Sequence, residues 1–363
     1  LDADDINVTC YDEHMKNLNR SAWLLGRFIL LEVLVGCTAI SATAGGQPTR
    51  YDYSQVHMGM PVKLALYSCN ETAANQAAQA VYNRFAELNR IFSDYDSASE
   101  LSRLSHSSPH AAPVRVSDPL WSILERSLEV SKQTGGAFDV TVGPMVRLWR
   151  RARRSMELPS AARLAEAKRA TGWQQLKLDP QTRSVQLMQP GMQLDLGGIA
   201  AGYAIDEGLK ILRRHGILSA MIDASGDVGA SGAPPGTRGW RIAILPLDPH
   251  DKPTQFLYLA NAAITTSGDA FQFVEIDGKR YSHIVDPKTG LGLTVPSAVT
   301  VVAPDCTSAD SLATAASVLG PKAGITLIEN HAGAACLFYR GGSASPEVFQ
   351  SRGWKELPFT VDK

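Results

Sequence analysis

Helix-like and strand-like stretches succeed one another in this chain without a regular beat, and that order restricts its fold more than any single motif. Apolar residues at helical spacing run from Ala73 to Leu88, through Ala77, Val81 and Phe85. They recur from Pro119 to Gln133, with Leu120, Ile123, Leu124, Leu128 and Val130 inward and Gly135-Gly136 as the stop. Glu100–Leu104 predicts a short helix and Ser160–Thr171 a longer one. Strand patterns occupy Gly59–Tyr67, Leu176–Leu178, Ser184–Leu187, Ala220–Ile222, Trp240–Ile244, Gln255–Leu259 and Val299–Val302. Two helices, Ile199–His215 and Thr307–Leu319, interrupt the later strands. Elements in mixed order, without βαβ alternation, imply an α+β fold rather than a doubly wound sheet. No linker is visible, so 47–363 is expected to be one compact unit.

Bulk charge narrows the partner classes. Lysine plus arginine number 35 against 36 aspartates and glutamates, which leaves no global field to attract nucleic acid. The densest basic run, Arg147 to Arg154, reads as a solvated face at the end of a helix-like segment. Cys10, Cys37, Cys69, Cys306 and Cys336 form no CxxC pair, which argues against structural zinc. Met15–Arg20 resembles a charged leader start, followed by a mostly apolar run from Trp23 to Ile40. Leu34-Val35-Gly36-Cys37 fits a bacterial lipoprotein box, and Ala42-Thr43-Ala44 is an alternative cleavage site. Arg27 and Glu32 argue against a transmembrane anchor. Residues 1–46 are therefore read as upstream sequence plus a leader, and the protein is expected to be exported to the periplasm, with Cys37 as a lipid attachment point.

Several clusters carry chemistry. Asp310 and Thr314 lie four positions apart on a helix, so a carboxylate and a hydroxyl share one face, as hard oxygen ligands for Mg²⁺ would. Thr307 with Asp310 also matches a capping box, the plainer reading of that aspartate. Asp195-Leu196-Gly197-Gly198-Ile199-Ala200-Ala201-Gly202-Tyr203 puts glycines at a helix start, for close approach to a phosphate or for tight packing. In Ala137-Phe138-Asp139, the aspartate either meets a ligand or caps its own loop. Tyr95, in a polar loop, would stack on a planar ring or simply pack. His283 is a candidate base or transition-state donor, and Asp286 stands second to it.

The order of these segments resembles the ApbE family of FAD:protein FMN transferases. The matching stretches are Met58-Gly59-Met60, Phe92 to Leu104, Gly135 to Pro144, Asp195 to Tyr203, Asp223 to Gly232, Thr266 to Asp269, Tyr281 to Gly290 and Asp305 to Thr314. The resemblance implies a T-fold-like α+β architecture and Mg²⁺-dependent cleavage of FAD. The FMN half would pass to a threonine or serine of a client flavoprotein subunit, which can belong to a membrane redox complex, with release of AMP. By the same resemblance, Asp310, Thr314 and the Gly198 carbonyl would hold the metal. Met58, Tyr95, Ala137, Phe138, Asp139, Asp195, Ala201 and Ile284 would contact FAD, and His283 would act in catalysis. The chain departs from the family at Ala201, where lysine is usual, at Met60, where threonine is common, and at Ser225, in place of a frequent glycine. Two rival readings are an FAD-binding carrier without turnover and an FAD pyrophosphatase.

Overall fold

Eight strands lie side by side in the order in which the chain makes them, each antiparallel to the next. They are β1 (Thr49–His57), β2 (Met60–Ser68), β3 (Ala220–Ala224), β4 (Asp227–Ala230), β5 (Ala262–Gly268), β6 (Ser297–Ala303), β7 (Ala335–Arg340) and β8 (Glu347–Gln350). This computed structural model describes residues 47–244, 253, 255–269, 272–341 and 346–361. The expected leader, including Cys10 and Cys37, lies outside the described residues. Pro48–Lys363 forms a single contact unit.

Most other elements are inserted between these strands, and Arg352–Glu356 and Phe359–Val361 follow the last of them. The β2–β3 crossover carries α1 (Glu71–Phe92), α2 (Glu100–His106), α3 (Asp118–Gln133), α4 (Gly143–Ser155), α5 (Ala161–Arg169) and α6 (Ala200–Arg214). It also carries a small sheet of Val114–Arg115, Leu176–Asp179 and Ser184–Leu187. Between β6 and β7 runs α7 (Cys306–Glu329).

Both faces of the central sheet are covered. Val62, Leu64 and Leu66 on β2, with Val299 and Val301 on β6, pack toward α1, α6 and α7. The intervening Ala65 and Val302 face a second small sheet, Trp240–Ala243, Gln255–Leu259 and Phe359–Val361, together with Trp354. A strand buried on both sides needs no polar alternation, which explains why β6 reads as the unbroken run SAVTVVA. The helix α7 is long and apolar enough to cross a membrane. It is instead a core helix, packed on β5, β6 and α6 and kinked at Gly320 (φ 77°) just before Pro321.

Glycines set how closely α6 approaches α7 and the sheet. A Cβ at Gly202 would lie 2.3 Å from the Cys306 carbonyl oxygen, and one at Gly208 2.6 Å from Ile222 Cδ1. Gly202→Ala is therefore expected to push the two helices apart and to cost about 1–3 kcal/mol. Chemical denaturation would measure this, and an unchanged midpoint would show that the crossing can relax.

The expected helices and strands are all present, with shifted ends. Leu128 is only partly buried on α3. The capping-box reading of Thr307 and Asp310 is corrected. Asp305 is the N-cap of α7 and accepts from the Ser308 amide at 2.8 Å. The Cys306 and Thr307 amides bond Asp206 at 2.9 Å each. Asp310 is thereby left free to face elsewhere.

Candidate active site

A cleft of about 420 Å³ opens where the sheet, α4 and α7 meet. Its wall gathers Tyr95, Ala137, Phe138, Asp139, Asp195, Gly198, His283, Ile284, Asp310 and Thr314, residues far apart in sequence. The β3–β4 turn adds Ser225 and Asp227, β5 adds Thr265–Gly268, and α4 adds Arg150 and Arg153. Ser225 (φ 57°) and Gly226 (φ 99°) are the two central residues of that turn, both left-handed, as a tight hairpin requires.

One part of the wall is rich in oxygen atoms without protein partners. Asp310 is buried, and one carboxylate oxygen accepts from the Gly202 amide at 3.2 Å. The carboxylate of half-buried Asp227, the second oxygen of Asp310 and the Thr314 hydroxyl have no hydrogen bond among the described residues. The buried Thr265 hydroxyl on the same wall is also unpartnered. Gly198 lies directly against Thr314: a Cβ there would sit 2.8 Å from Thr314 Oγ1. Burial, reinforced by Asp206, pushes the Asp310 carboxyl up to about 7, against the favourable Gly202 amide. Burial and the charges of Asp310 and Asp223 push Asp227 well above the usual carboxylate range. Two crowded carboxylates beside a hydroxyl, all hard oxygen donors, suit a divalent cation such as Mg²⁺.

That electrostatic state has a thermal consequence. A carboxyl with a raised folded-state pKa contributes stability that is complete below the unfolded value, near 3.8. The contribution is lost as pH rises through about 7. Chelator-treated protein should therefore lose part of its stability between pH 4 and pH 8. Added Mg²⁺ should raise Tm more at pH 8 than at pH 5, because it binds the ionised form. Scanning calorimetry with and without Mg²⁺ reads this directly. An equal Mg²⁺ effect at both pH values would separate the ion from Asp310.

Elsewhere on the wall, an exposed aromatic stands on a charge cluster. Tyr95 is 78% exposed, and the Arg150 guanidinium lies 4.3 Å from its ring centroid. Arg150 also pairs with Asp94 and, at 2.9 Å, with Asp195. Burial and Asp94 raise the Asp195 pKa, opposed by Arg150 and the Gly197 amide. Asp139 takes the loop-capping role: its carboxylate accepts from the Thr141 amide and hydroxyl and from the Trp173 amide, at 2.7–2.9 Å. It lines the cleft, and burial raises its pKa against those three hydrogen bonds.

His283 stands at the cleft on the loop after the Phe273–Ile276 and Lys279–Ser282 hairpin. Its Nδ1 lies 3.1 Å from the Gln272 carbonyl, so the neutral ring donates from Nδ1 and leaves Nε2 as the acceptor. Burial, with Arg153 adding to it, pulls the imidazole below its usual value, against the Gln272 bond and Asp269. A neutral base at pH 7 follows. Trp149 fixes α4 beside this segment, donating its indole N–H to the Gly290 carbonyl at 2.8 Å and packing 4.8 Å from the Tyr281 ring.

The profile of the ApbE family matches residues 58–338, which takes in every wall of this cleft. The chain belongs to the ApbE family. A FAD:protein FMN transferase of Treponema pallidum (strain Nichols) is 32% identical over 336 residues, covering 87% of this chain and 90% of that one. One from Klebsiella pneumoniae (strain 342) is 31% identical, covering 83% and 87%. Among solved structures, the Pseudomonas stutzeri flavinyl transferase ApbE in its apo form superposes with a TM-score of 0.76 at 29% identity, covering 86% of this chain and 97% of that one. The Vibrio cholerae flavin transferase ApbE gives 0.77 at 27%, covering 86% and 100%. The α+β architecture of the ApbE fold is thus that of this chain.

Three expected residues of this ApbE chain lie off the cleft wall. Met58 sits in the β1–β2 turn with φ 51° and packs against the core. Ala201 is in the first turn of α6, half-buried. Asp286 closes its own turn: its carboxylate accepts from the Lys288 amide at 2.9 Å and the Thr289 hydroxyl at 3.0 Å. A carboxylate so engaged locks its own turn, at a position off the cleft wall. The glycine motif serves packing. The Gly197 amide donates to Asp195 at 2.8 Å, while Gly198 and Gly202 abut α7. Asp227 and Arg150 emerge as cleft residues only in the structure. An acid beside a hairpin glycine was the available signal for Asp227; for Arg150 it was an arginine directly after a tryptophan.

Proposed function

We propose that this protein transfers the FMN half of FAD to a threonine or serine hydroxyl of a client protein, releasing AMP, with Mg²⁺ as cofactor. The observation that carries this reading is the concentration of unpartnered oxygen donors, Asp310, Asp227 and Thr314, in one cleft with a neutral His283 and an exposed Tyr95. The relatives named FAD:protein FMN transferase support the same reaction.

In this reading Asp310, Asp227, Thr314 and the Gly198 carbonyl would hold the ion. Bound there, Mg²⁺ supplies positive charge against the diphosphate oxygens. Tyr95 offers its free face to the isoalloxazine ring, and Phe138 and Ile284 exclude water beside it. His283 Nε2 accepts the proton of the client hydroxyl as its oxygen bonds to the flavin-side phosphorus. The bond from that phosphorus to the bridging oxygen breaks, and AMP leaves with the bridging oxygen.

The test uses the purified protein with FAD, Mg²⁺ and a client domain that carries an acceptor threonine. A fluorescent client band together with AMP supports the transferase. AMP with free FMN and a dark client would mean a pyrophosphatase, and neither product would mean a flavin carrier. The leader-like residues also support an exported location with a lipid at Cys37. Recovery of the native protein only from the cytoplasm of its host would contradict that.

A further inference from the structure

Arg150 belongs to the basic run at the end of α4, yet it is set apart from its neighbours. Arg147, Arg151, Arg153 and Arg154 make no ion pair among the described residues, whereas Arg150 makes two, to Asp94 and Asp195. Its guanidinium also lies beneath the Tyr95 ring. That is the only ring contact of Tyr95 among the described residues, and the side chain is 78% exposed. Tyr95 belongs to none of the apolar clusters of the described residues. The loop beneath it is tied by hydrogen bonds: Ser93 Oγ accepts from the amides of Tyr95 and Asp96, and Ser102 Oγ donates to the Ser93 carbonyl.

We propose that Arg150 is a positioning residue for flavin binding, its guanidinium holding the Tyr95 ring ready to stack and joining the Asp94 loop to Asp195. This rests on the flavin-transfer reading. A tyrosine free to rotate must lose that freedom when the isoalloxazine docks, and a ring already seated on a planar cation loses less. The same guanidinium ties Asp94, beside Tyr95 in sequence, to Asp195 on the cleft wall, which holds the Tyr95 loop in place. Lysine keeps the charge but not the planar fork or the flat stacking surface, so it replaces arginine only in part.

The test measures FAD binding by quenching of flavin fluorescence on the whole protein with Mg²⁺, for wild type, R150K, R150M, Y95A and R150M/Y95A. R150M is expected to weaken FAD binding about tenfold and to reduce the quench, with the kinetic loss in KM for FAD rather than in kcat. R150K should fall between R150M and wild type. In the Y95A background, R150M should add less than about twofold, because the two residues act as one unit. Losses that multiply in the double variant would show that Arg150 does not act through Tyr95. Should R150M fail to fold, R150K retains charge for both aspartates and decides alone: wild-type affinity and quench in folded R150K would overturn the role. A wild-type protein that leaves FAD fluorescence unchanged would overturn the flavin reading itself, and this inference with it.

Discussion

Asp310→Ala should abolish Mg²⁺-dependent transfer, with a loss on the order of 10³-fold in kcat, while FAD binding weakens by less than about tenfold. Asp310 is buried on α7, one oxygen on the Gly202 amide and the other unpartnered among the described residues. Alanine would remove a carboxylate from the oxygen-rich wall proposed to hold the ion. The flavin contacts proposed for Tyr95, Phe138 and Ile284 lie on other segments of the wall and should survive. Single-turnover transfer and FAD titration, run together on the variant, separate the two effects. Near-normal turnover would take Asp310 out of the metal site. An equally large loss of FAD affinity would make it a binding residue rather than a ligand for the ion.

His283→Ala should slow the chemical step by about 10²–10⁴-fold and leave FAD affinity within a few fold. The ring is held by its Nδ1 contact to Gln272, and its pKa is depressed by burial. Two consequences follow for the wild type. At saturating Mg²⁺, which would keep Asp310 ionised, the rate should be flat above pH 7, because Nε2 is already unprotonated. It should fall as pH drops through a value below 6.5, where the imidazole charges. A rate still climbing between pH 7 and pH 9 at saturating Mg²⁺ would contradict a neutral His283 base. So would a variant that loses FAD affinity yet keeps its rate at saturation.

Where the sequence was informative and where it failed follows from the range of the interactions involved. Helices α1 and α3 bury one clear stripe, and their period is legible from Ala77–Leu88 and Leu120–Val130. β1, an edge strand with the polar sequence TRYDYSQVH, carries no such signal. Neither does β5, whose AAITTSG is small and polar because its end lines the cleft. Asp310 and Thr314 could be paired from spacing alone, since one helical turn fixes their relation. Asp227 reaches them only through the β3–β4 hairpin, a long-range consequence of sheet order that no local pattern encodes. The Thr307–Asp310 pair misled for the opposite reason. Its local pattern is real, but Asp305, two residues upstream, takes the cap.

The account depends on a divalent cation held by Asp310, Asp227 and Thr314. The most direct measurement is anomalous scattering from Mn²⁺, standing in for Mg²⁺, in crystals of the wild-type protein. The predicted result is one strong peak at coordination distance, about 2.1 Å for an ion of this kind, from carboxylate oxygens of Asp310 and Asp227 and from Thr314 Oγ1. A cleft without such a peak at saturating Mn²⁺, or a peak bound by other residues, would contradict it.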